Sequence, residues 1–148
     1  MTSRLKMTDT FVMKLEEIQP SQLFISSEKL SQVIRGSVPL TIEALRPIPV
    51  KKLGNETIFT DGHTRAFAAY LSGLREIRVF WDEDEMDWEA YEICVEWCKE
   101  AGIHTIADLK DRVVSEEEYE LLWHRRCDVM HKELEAKRRS KNGAIRDT

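Results

Sequence analysis

The sequence predicts an α+β fold, with a small mixed sheet and helices in its first half and an α-helical extension in its second half. In the first half, the β-branched and aromatic runs IPVKKL, ETIFT and EIRVFW lie on either side of one amphipathic segment at residues 63–71. The second half instead repeats apolar residues at helical spacing, as at Trp88, Tyr91 and Val95. Strands with helices, followed by helices alone, are typical of an α+β domain with a helical appendage.

Turn and cap residues set the expected boundaries of the first half. The segment FVMKLEEIQPSQLFI predicts a short strand and then an extended turn around Pro20. Ser27 is the expected N-cap of a helix that ends at Gly36. Gly54 and Asn55 predict a hairpin between IPVKKL and ETIFT. The helix of residues 63–71 is expected to stop at Gly73 before the strand EIRVFW.

Two capping boxes organise the second half. Thr105 with Asp108 predicts the start of a short helix, and Ser115 with Glu118 predicts the start of a long helix that runs toward Arg139. The expected organisation is therefore a sheet-containing unit over 11–82 and an acidic helical extension over 83–139 packed on it. The polar ends, 1–10 and 140–148, are expected to be disordered.

Composition and charge narrow the class of protein. The net charge of −5 is uneven, because the first 80 residues carry eleven Lys or Arg and eight Asp or Glu, whereas the rest carry eleven and nineteen. An acidic second half disfavours DNA as a partner, since a duplex-binding surface is normally basic. No apolar run is long enough to span a membrane, and three cysteines without framework spacing favour reduced thiols, so a cytoplasmic protein is expected.

The stretch FTDGHTRAFAAYLSGL is the strongest candidate for a binding site. A helix N-terminus offers unpaired amides and a partial positive charge, so phosphate binds there readily. Gly62 allows a close backbone approach, Thr64 and His63 can donate hydrogen bonds, and Arg65 can grip two oxygens. Asp61 can cap the helix, hold His63 or Arg65, or ligate a magnesium ion that arrives with a nucleotide. The alternative is an ordinary strand-to-helix turn.

These residues resemble the ParB/sulfiredoxin superfamily over residues 11–82. The resemblance rests on the G-x-x-R turn from Gly62 to Arg65, the following GLREIRV at 73–79, and the upstream IQPSQLFISSEKLSQVI. The resemblance implies that the turn binds nucleotide phosphates. Sulfiredoxins carry a nucleophilic cysteine after the glycine, where this chain has His63, so peroxiredoxin repair is not expected.

Within that superfamily, the turn is most similar to that of the free serine kinases, which carry Asp-Gly-His-His-Arg. Asp61, Gly62, His63 and Arg65 match this pattern, and Thr64 replaces the second histidine. The resemblance implies ATP or ADP with Mg²⁺ as phosphoryl donor and a small hydroxyl compound such as serine as acceptor, with His63 at the transferred group.

The general base of such a kinase is the least secure part of the resemblance. The kinases use a glutamate after the I-x-P element, and the residue nearest that place here is Gln22, which cannot accept a proton from a hydroxyl. Glu28 is the first candidate base, and Glu43 lies further along the chain. The main alternative function is a ParB-like nucleotide-binding regulatory or partition module without kinase activity, and a purely structural turn is a third reading.

Other patterns favour structural roles. His124, Cys127 and His131 share one predicted helical face and, with Cys94 or Cys98, form a weak metal candidate, so no metal ligands are assigned. The acidic run DEDEMD at 82–87 is typical of a solvated loop. The four tryptophans are expected to pack in the core or between helices. The helix-turn-helix rhythm of residues 105–126 is read as a packing pair, since its second helix opens with three glutamates.

Overall fold

The computed structural model describes residues 9–36 and 39–146. Within these ranges the strands are β1 Phe11–Lys14, β2 Ile18–Gln19, β3 Ile25–Ser26, β4 Ile48–Leu53, β5 Glu56–Phe59, β6 Glu76–Trp81 and β7 Val113–Val114. The helices are α1 Ser27–Gly36, α2 His63–Leu71, α3 Trp88–Glu100, α4 Glu116–Tyr119 and α5 Arg125–Arg146, and a π-helical segment, Glu120–His124, joins the last two. The predicted α+β class with a helical C-terminal extension is confirmed.

Five strands form one mixed sheet in the order β1-β6-β4-β5-β2. The pairs β1/β6 and β4/β5 are antiparallel, whereas β6/β4 and β5/β2 are parallel. The predicted hairpin is confirmed, because Leu53 pairs with Glu56 across the turn and Gly54 has a positive φ of 64°. The chain then passes from the end of β5 directly into α2, so the candidate turn is anchored to a central hairpin of the sheet.

Burial on nearly all sides fixes the position of α2. Residues 66–69 are almost completely buried, and because consecutive helical residues point in different directions, the helix is covered on several sides. It contacts α1, β3 and the 3₁₀ turn Ile106–Leu109, and its small alanine side chains allow these elements to approach closely. The N-terminus of α2 is therefore held rigidly at the edge of the core.

The first helix begins one residue away from the predicted cap. Helix α1 starts at Ser27, but the Oγ of Ser26 accepts the hydrogen bond from the Lys29 amide at 3.3 Å, so Ser26 caps the helix and the assignment of Ser27 was wrong. The Ser26 hydroxyl also donates to Glu116 Oε1 at 2.5 Å. Ser26 belongs to the β3/β7 pair, a two-stranded parallel sheet that the sequence did not predict, since two-residue strands leave no periodicity to detect.

The C-terminal extension shares the core with the sheet-containing unit. Buried residues of the extension, among them Ile106, Leu109 and Tyr119, belong to the same apolar cluster as the sheet residues. Helix α3 contacts the π-helical segment Glu120–His124 through an edge-to-face pair of Trp97 and Trp123 with centroids 6.1 Å apart. Ile106–Leu109, the predicted first helix of residues 105–126, is a single 3₁₀ turn, and it packs against α2.

A salt-bridged clasp joins the start of α3 to α5. Arg138 donates to both carboxylate oxygens of Asp87, at 2.9 and 3.1 Å, and to Glu89 at 2.9 Å. Asp87 also accepts from the Ala90 amide as the N-cap of α3.

Beyond these salt bridges α5 continues to Arg146, so residues 140–146, which were expected to be disordered, are helical. Residues 1–8 and 147–148 lie outside the described ranges.

Two of the four tryptophans depart from the expected packing role. Trp81 and Trp88 are 45% and 43% exposed, so they are surface residues and the expectation that they lie in the core or between helices was wrong. Trp81 contacts Phe11 with ring centroids 5.3 Å apart, and the Lys51 ammonium lies 5.3 Å from the centre of the Trp88 ring. Trp81 ends β6 and Trp88 begins α3. At the end of an element, the spacing of apolar residues in the sequence does not show which side of the element is covered.

The segment between α1 and β4 is held by an arginine from the sheet. Arg78 on β6 donates to the carbonyls of Ile42, Glu43 and Leu45, at 3.2, 2.8 and 2.9 Å. A planar guanidinium spreads five donors over a rigid fork and so reaches three carbonyls along the loop, whereas the donors of a lysine ammonium all lie on one atom. This contact determines where the next residues, 46 and 47, enter β4.

We expect Arg78→Lys to destabilise the protein by about 2 kcal/mol, since charged hydrogen bonds to at least two carbonyls would be lost. Urea denaturation would measure the loss, and hydrogen exchange should show faster exchange for amides around 42–45. Arg75→Lys is the control, because Arg75 is exposed and its side chain forms no hydrogen bond with the described residues. Equal stability of the two variants would show that Arg78 does not hold the segment.

None of the described helices is both long and apolar enough to cross a membrane.

Candidate functional site at the start of α2

Gly62 opens α2 in a left-handed conformation, with φ 75° and ψ 20°. It serves as the N-cap without a side-chain cap, and its own amide donates to Asp61 Oδ1 at 2.8 Å. The amides of His63, Thr64 and Arg65 lie in the first turn, where a helix provides no acceptor. The predicted donor groups are therefore all brought to one place, beside the positive end of the helix dipole.

The lack of space around position 62 also requires a glycine there. A Cβ at this position would lie 2.9 Å from Arg65 Nη2 and 3.0 Å from Ile48 Cγ2. The Arg65 guanidinium thus lies against the backbone of the turn, on the side that any other residue would fill. The turn and the arginine form one packed unit, and the glycine permits both the chain reversal and this contact.

Arg65 is half-buried and is partly used within the fold. Its Nη1 donates to the carbonyls of Arg46 at 3.1 Å and Pro47 at 2.9 Å. Nη2 and Nε have no acceptor among the described residues, and no carboxylate of this part of the chain forms an ion pair with Arg65. Burial, and then the neighbouring Arg46, lower the pKa of Arg65, and Asp61 opposes them. The side chain is positioned by the loop while keeping donors available.

His63 is buried, with only 4% of its surface exposed, and its environment fixes its protonation. Nε2 accepts a hydrogen bond from the Ser21 amide at 2.9 Å, and the Ser21 hydroxyl donates to the Phe59 carbonyl at 2.7 Å. Burial lowers the pKa of His63 to about 4, against a smaller opposing effect of Asp61. At neutral pH the imidazole is therefore uncharged, and because Nε2 is an acceptor the proton lies on Nδ1.

The Nδ1–H of His63 is directed to solvent. Among the described residues, every fully buried side-chain nitrogen and oxygen atom has a hydrogen-bond partner. Nδ1 has no partner among those residues, so the small exposed fraction of His63 includes this atom. The result is a neutral donor, held on its far side by Ser21, at the N-terminus of α2. An imidazole in this state can donate to a phosphoryl oxygen, but it does not bring positive charge.

Thr64 and Asp61 complete the turn. Thr64 is half-buried in the first turn, and its hydroxyl has no hydrogen-bond partner among the described residues. Asp61 is exposed and uses one oxygen on the Gly62 amide. Mg²⁺ bound with a nucleotide needs only one or two protein carboxylates, so Asp61 fits the predicted role of holding the ion.

The expected catalytic bases are not assembled at the turn. Glu28 is exposed on α1 and forms no hydrogen bond or ion pair with the described residues. The Gln22 side chain donates to the Phe24 carbonyl at 2.8 Å, so it has a structural function. Glu43 is exposed, and its contribution to the fold is a backbone carbonyl bound by Arg78.

Three residues near the turn have no counterpart in the sequence analysis. Ser21 positions His63, Arg46 lies beside Arg65, and the Tyr91 hydroxyl donates to the Thr60 carbonyl at 2.9 Å, just before the turn. None of the three lies in a recognisable motif. Ser21 acts partly through its backbone, which leaves no signal in the identity of the residue, although the proline before it does indicate an extended segment.

The remaining metal candidates do not assemble. Among the residues described, no group of three or more His, Cys, Asp or Glu side chains is placed to hold a metal ion. His124 Nδ1 contacts Glu120 at 2.7 Å. In the acidic run, Asp82 accepts from the Thr60 hydroxyl at 2.8 Å and Asp87 caps α3. Several carboxylates of this run therefore stabilise the loop itself.

Two clefts of the described surface lie away from the turn. One, of about 630 Å³, lies near the C-terminal end of α2 and includes Tyr70 and Leu74. The other, of about 500 Å³, includes Glu17, Thr57 and His104. Neither of these two clefts includes a residue from 61–65.

Comparison with protein-family models gives no match, and a search of curated proteins gives none either. Among solved structures, the chain is similar to protein Atu1540 from Agrobacterium tumefaciens, with a TM-score of 0.43 and 8% sequence identity. The similarity covers 64% of this chain and 49% of that one, so the chain spans about half the length of that structure. At this TM-score the likeness carries no argument about function.

Proposed function

We propose that the protein binds ATP or ADP through its phosphates at the turn 61–65 and transfers a phosphoryl group to a small hydroxyl compound such as serine. One observation carries the proposal: His63, Thr64 and Arg65 present donors that the described residues leave unused, at a left-handed glycine that opens a rigid helix. The similarity of Asp61–Arg65 to the serine kinases of the ParB/sulfiredoxin superfamily supplies the choice of nucleotide and acceptor.

Each residue then has a distinct part. The amides of the first turn and the free donors of Arg65 bind phosphate oxygens, with Thr64 adding its hydroxyl. His63 donates its Nδ1–H to the transferred group without changing its own charge. Asp61 would hold Mg²⁺, and the ion would neutralise charge on the phosphates. Phosphoryl transfer depends mainly on such positioning and charge stabilisation, and Glu28 remains the candidate base by resemblance.

A second candidate is a ParB-like nucleotide-binding module without kinase activity. The contacts of the candidate bases favour it, because the Gln22 side chain is bound to the Phe24 carbonyl and neither Glu28 nor Glu43 forms a side-chain hydrogen bond with the described residues. This module would bind nucleotide at the same turn but would transfer nothing. DNA is the weaker partner in either case, given the acidic second half.

A thermal-shift titration with ATP, ADP, CTP and GTP, with and without Mg²⁺, tests nucleotide binding. A ligand at about 100 times its Kd should stabilise the protein by about 2.7 kcal/mol. We expect this with ATP or ADP, and expect Arg65→Gln to reduce the shift by at least half, while Arg35→Gln on α1 leaves it unchanged.

Incubation of the bound nucleotide with serine and other hydroxyl amino acids then separates the two candidates. Formation of a phosphorylated amino acid supports the kinase. Binding without any product across both ATP and ADP would favour the regulatory module, and no shift with any nucleotide would remove both.

A further inference from the structure

The Arg46 side chain is the second cation of the turn. The Arg46 carbonyl accepts from Arg65 Nη1 at 3.1 Å, so the two residues are in direct contact across the gap between the loop and α2. Arg46 is exposed and, among the described residues, forms neither an ion pair nor a hydrogen bond through its side chain. The positive charge of Arg46 lowers the pKa of Arg65, so the two charged groups lie near one another.

Charge at this place is not balanced within the described part of the chain. The two arginines and the positive end of α2 face one carboxylate, Asp61, which already accepts the Gly62 amide. Elsewhere the chain pairs an arginine in such a position directly, as Arg138 is paired with Asp87 and Glu89. Two neighbouring guanidinium groups without a carboxylate between them repel each other, and a dianion between them would remove this repulsion.

A second observation points to the same place. His63 is more than nine-tenths buried, yet its Nδ1–H has no partner within the described ranges and reaches solvent at the N-terminus of α2. The Ser21 amide prevents the ring from turning this donor inward. A buried polar side chain that keeps one free donor at the surface is suited to a ligand that brings an acceptor.

We propose that Arg46 is a phosphate-binding residue, and that Arg46 and Arg65 grip a nucleoside diphosphate or triphosphate from two sides of the turn. This inference rests on the proposed nucleotide binding and adds the loop between α1 and β4 to the site. Arg78 serves as a positioning residue, since it holds the carbonyls of 42, 43 and 45 and thereby places Arg46. The phosphate chain is recognised on two faces, which favours ligands with more than one phosphate.

Isothermal titration of the full chain with ADP, AMP and adenosine tests this. Arg46→Ala should weaken ADP binding about tenfold and AMP binding less, and should not affect adenosine, which has no phosphate. Arg46→Lys should recover part of the loss. Arg35→Ala, at an exposed arginine on α1, should stay within twofold of the wild type. The backbone carbonyl of residue 46 is kept in every variant, so the unliganded melting temperature should change little.

The experiment distinguishes failure of the proposed nucleotide binding from failure of the proposed role of Arg46. If the wild type binds none of the three compounds, the proposed nucleotide function fails and the role of Arg46 fails with it. If the wild type binds ADP but Arg46→Ala binds it as tightly as Arg35→Ala does, the role of Arg46 is refuted while nucleotide binding stands. Should Arg46→Ala melt at a markedly lower temperature, Arg46→Gln replaces it in the same comparison, and an unchanged affinity would again refute the role.

Discussion

Gly62→Ala is expected to destabilise the protein by about 3 kcal/mol. A residue with a Cβ in the left-handed conformation costs about 1–2 kcal/mol, and overfilling a packed site costs about 1–3 kcal/mol more. Both costs apply here, since φ is 75° and the added Cβ would lie 2.9 Å from Arg65 Nη2 and 3.0 Å from Ile48 Cγ2. Urea denaturation at neutral pH measures the change.

Gly102→Ala is the matched control, because Gly102 has nearly the same φ, 79°, but has no atom within 4 Å of an added Cβ. It should cost only about 1–2 kcal/mol, the backbone part alone. The difference between the two variants isolates the crowding of the added Cβ by Arg65 and Ile48. Equal losses would mean that these two side chains do not lie against the turn in solution, and the arrangement on which the site depends would be wrong.

His63 is expected to make the protein less stable as pH falls from 6.5 to 4. The folded protein holds the pKa of this imidazole at about 4, whereas the unfolded chain has an ordinary value of 6.5. Below pH 6.5 the unfolded chain therefore takes up a proton that the folded protein refuses. The shift corresponds to about 3 kcal/mol, which is fully present above pH 6.5 and lost as pH falls toward 4.

His63→Gln separates this effect from the carboxylates. Glutamine offers an amide oxygen to Ser21 but does not titrate. Arg138 lowers the pKa values of Asp87 and Glu89, and the His104 amide lowers that of Asp108. These carboxylates stabilise the fold at neutral pH, and this stabilisation is lost as pH falls through their ordinary pKa values, 3.8 for aspartate and 4.5 for glutamate. Urea titrations at pH 7.0 and 4.5 should show a much smaller loss in His63→Gln than in the wild type. Equal losses would show that His63 is solvated and not held by Ser21.

Local patterns predicted the elements of the first half well. The helix His63–Leu71 and the strands IPVKKL and EIRVFW were found at their predicted limits, because each is bounded by a glycine or a turn residue. The β3/β7 pair was missed, because its register depends on residues about 90 positions apart. Residues 140–146 contain no apolar face, yet they extend a helix that the contacts of Met130 and Leu134 have already started.

The site was predictable only as far as it is local. Asp61–Arg65 are contiguous, so the convergence of their donors follows from one turn. The buried, neutral state of His63 depends on Ser21, which is 42 positions away. The position of the Arg65 side chain depends on hydrogen bonds to the carbonyls of residues 46 and 47. Backbone groups supply each of these contacts, and a backbone group has no residue type to be read from a sequence.

An NMR titration of the ¹⁵N-labelled protein with ADP and Mg²⁺ tests the central claim most directly, since it reports on each backbone amide. The amides of Gly62, His63, Thr64 and Arg65 should show the largest chemical-shift changes, with smaller ones at residues 46 and 21. If ADP at millimolar concentration moves none of these signals, or moves mainly those of the cleft around Tyr70 and Leu74, phosphate binding at the start of α2 is refuted.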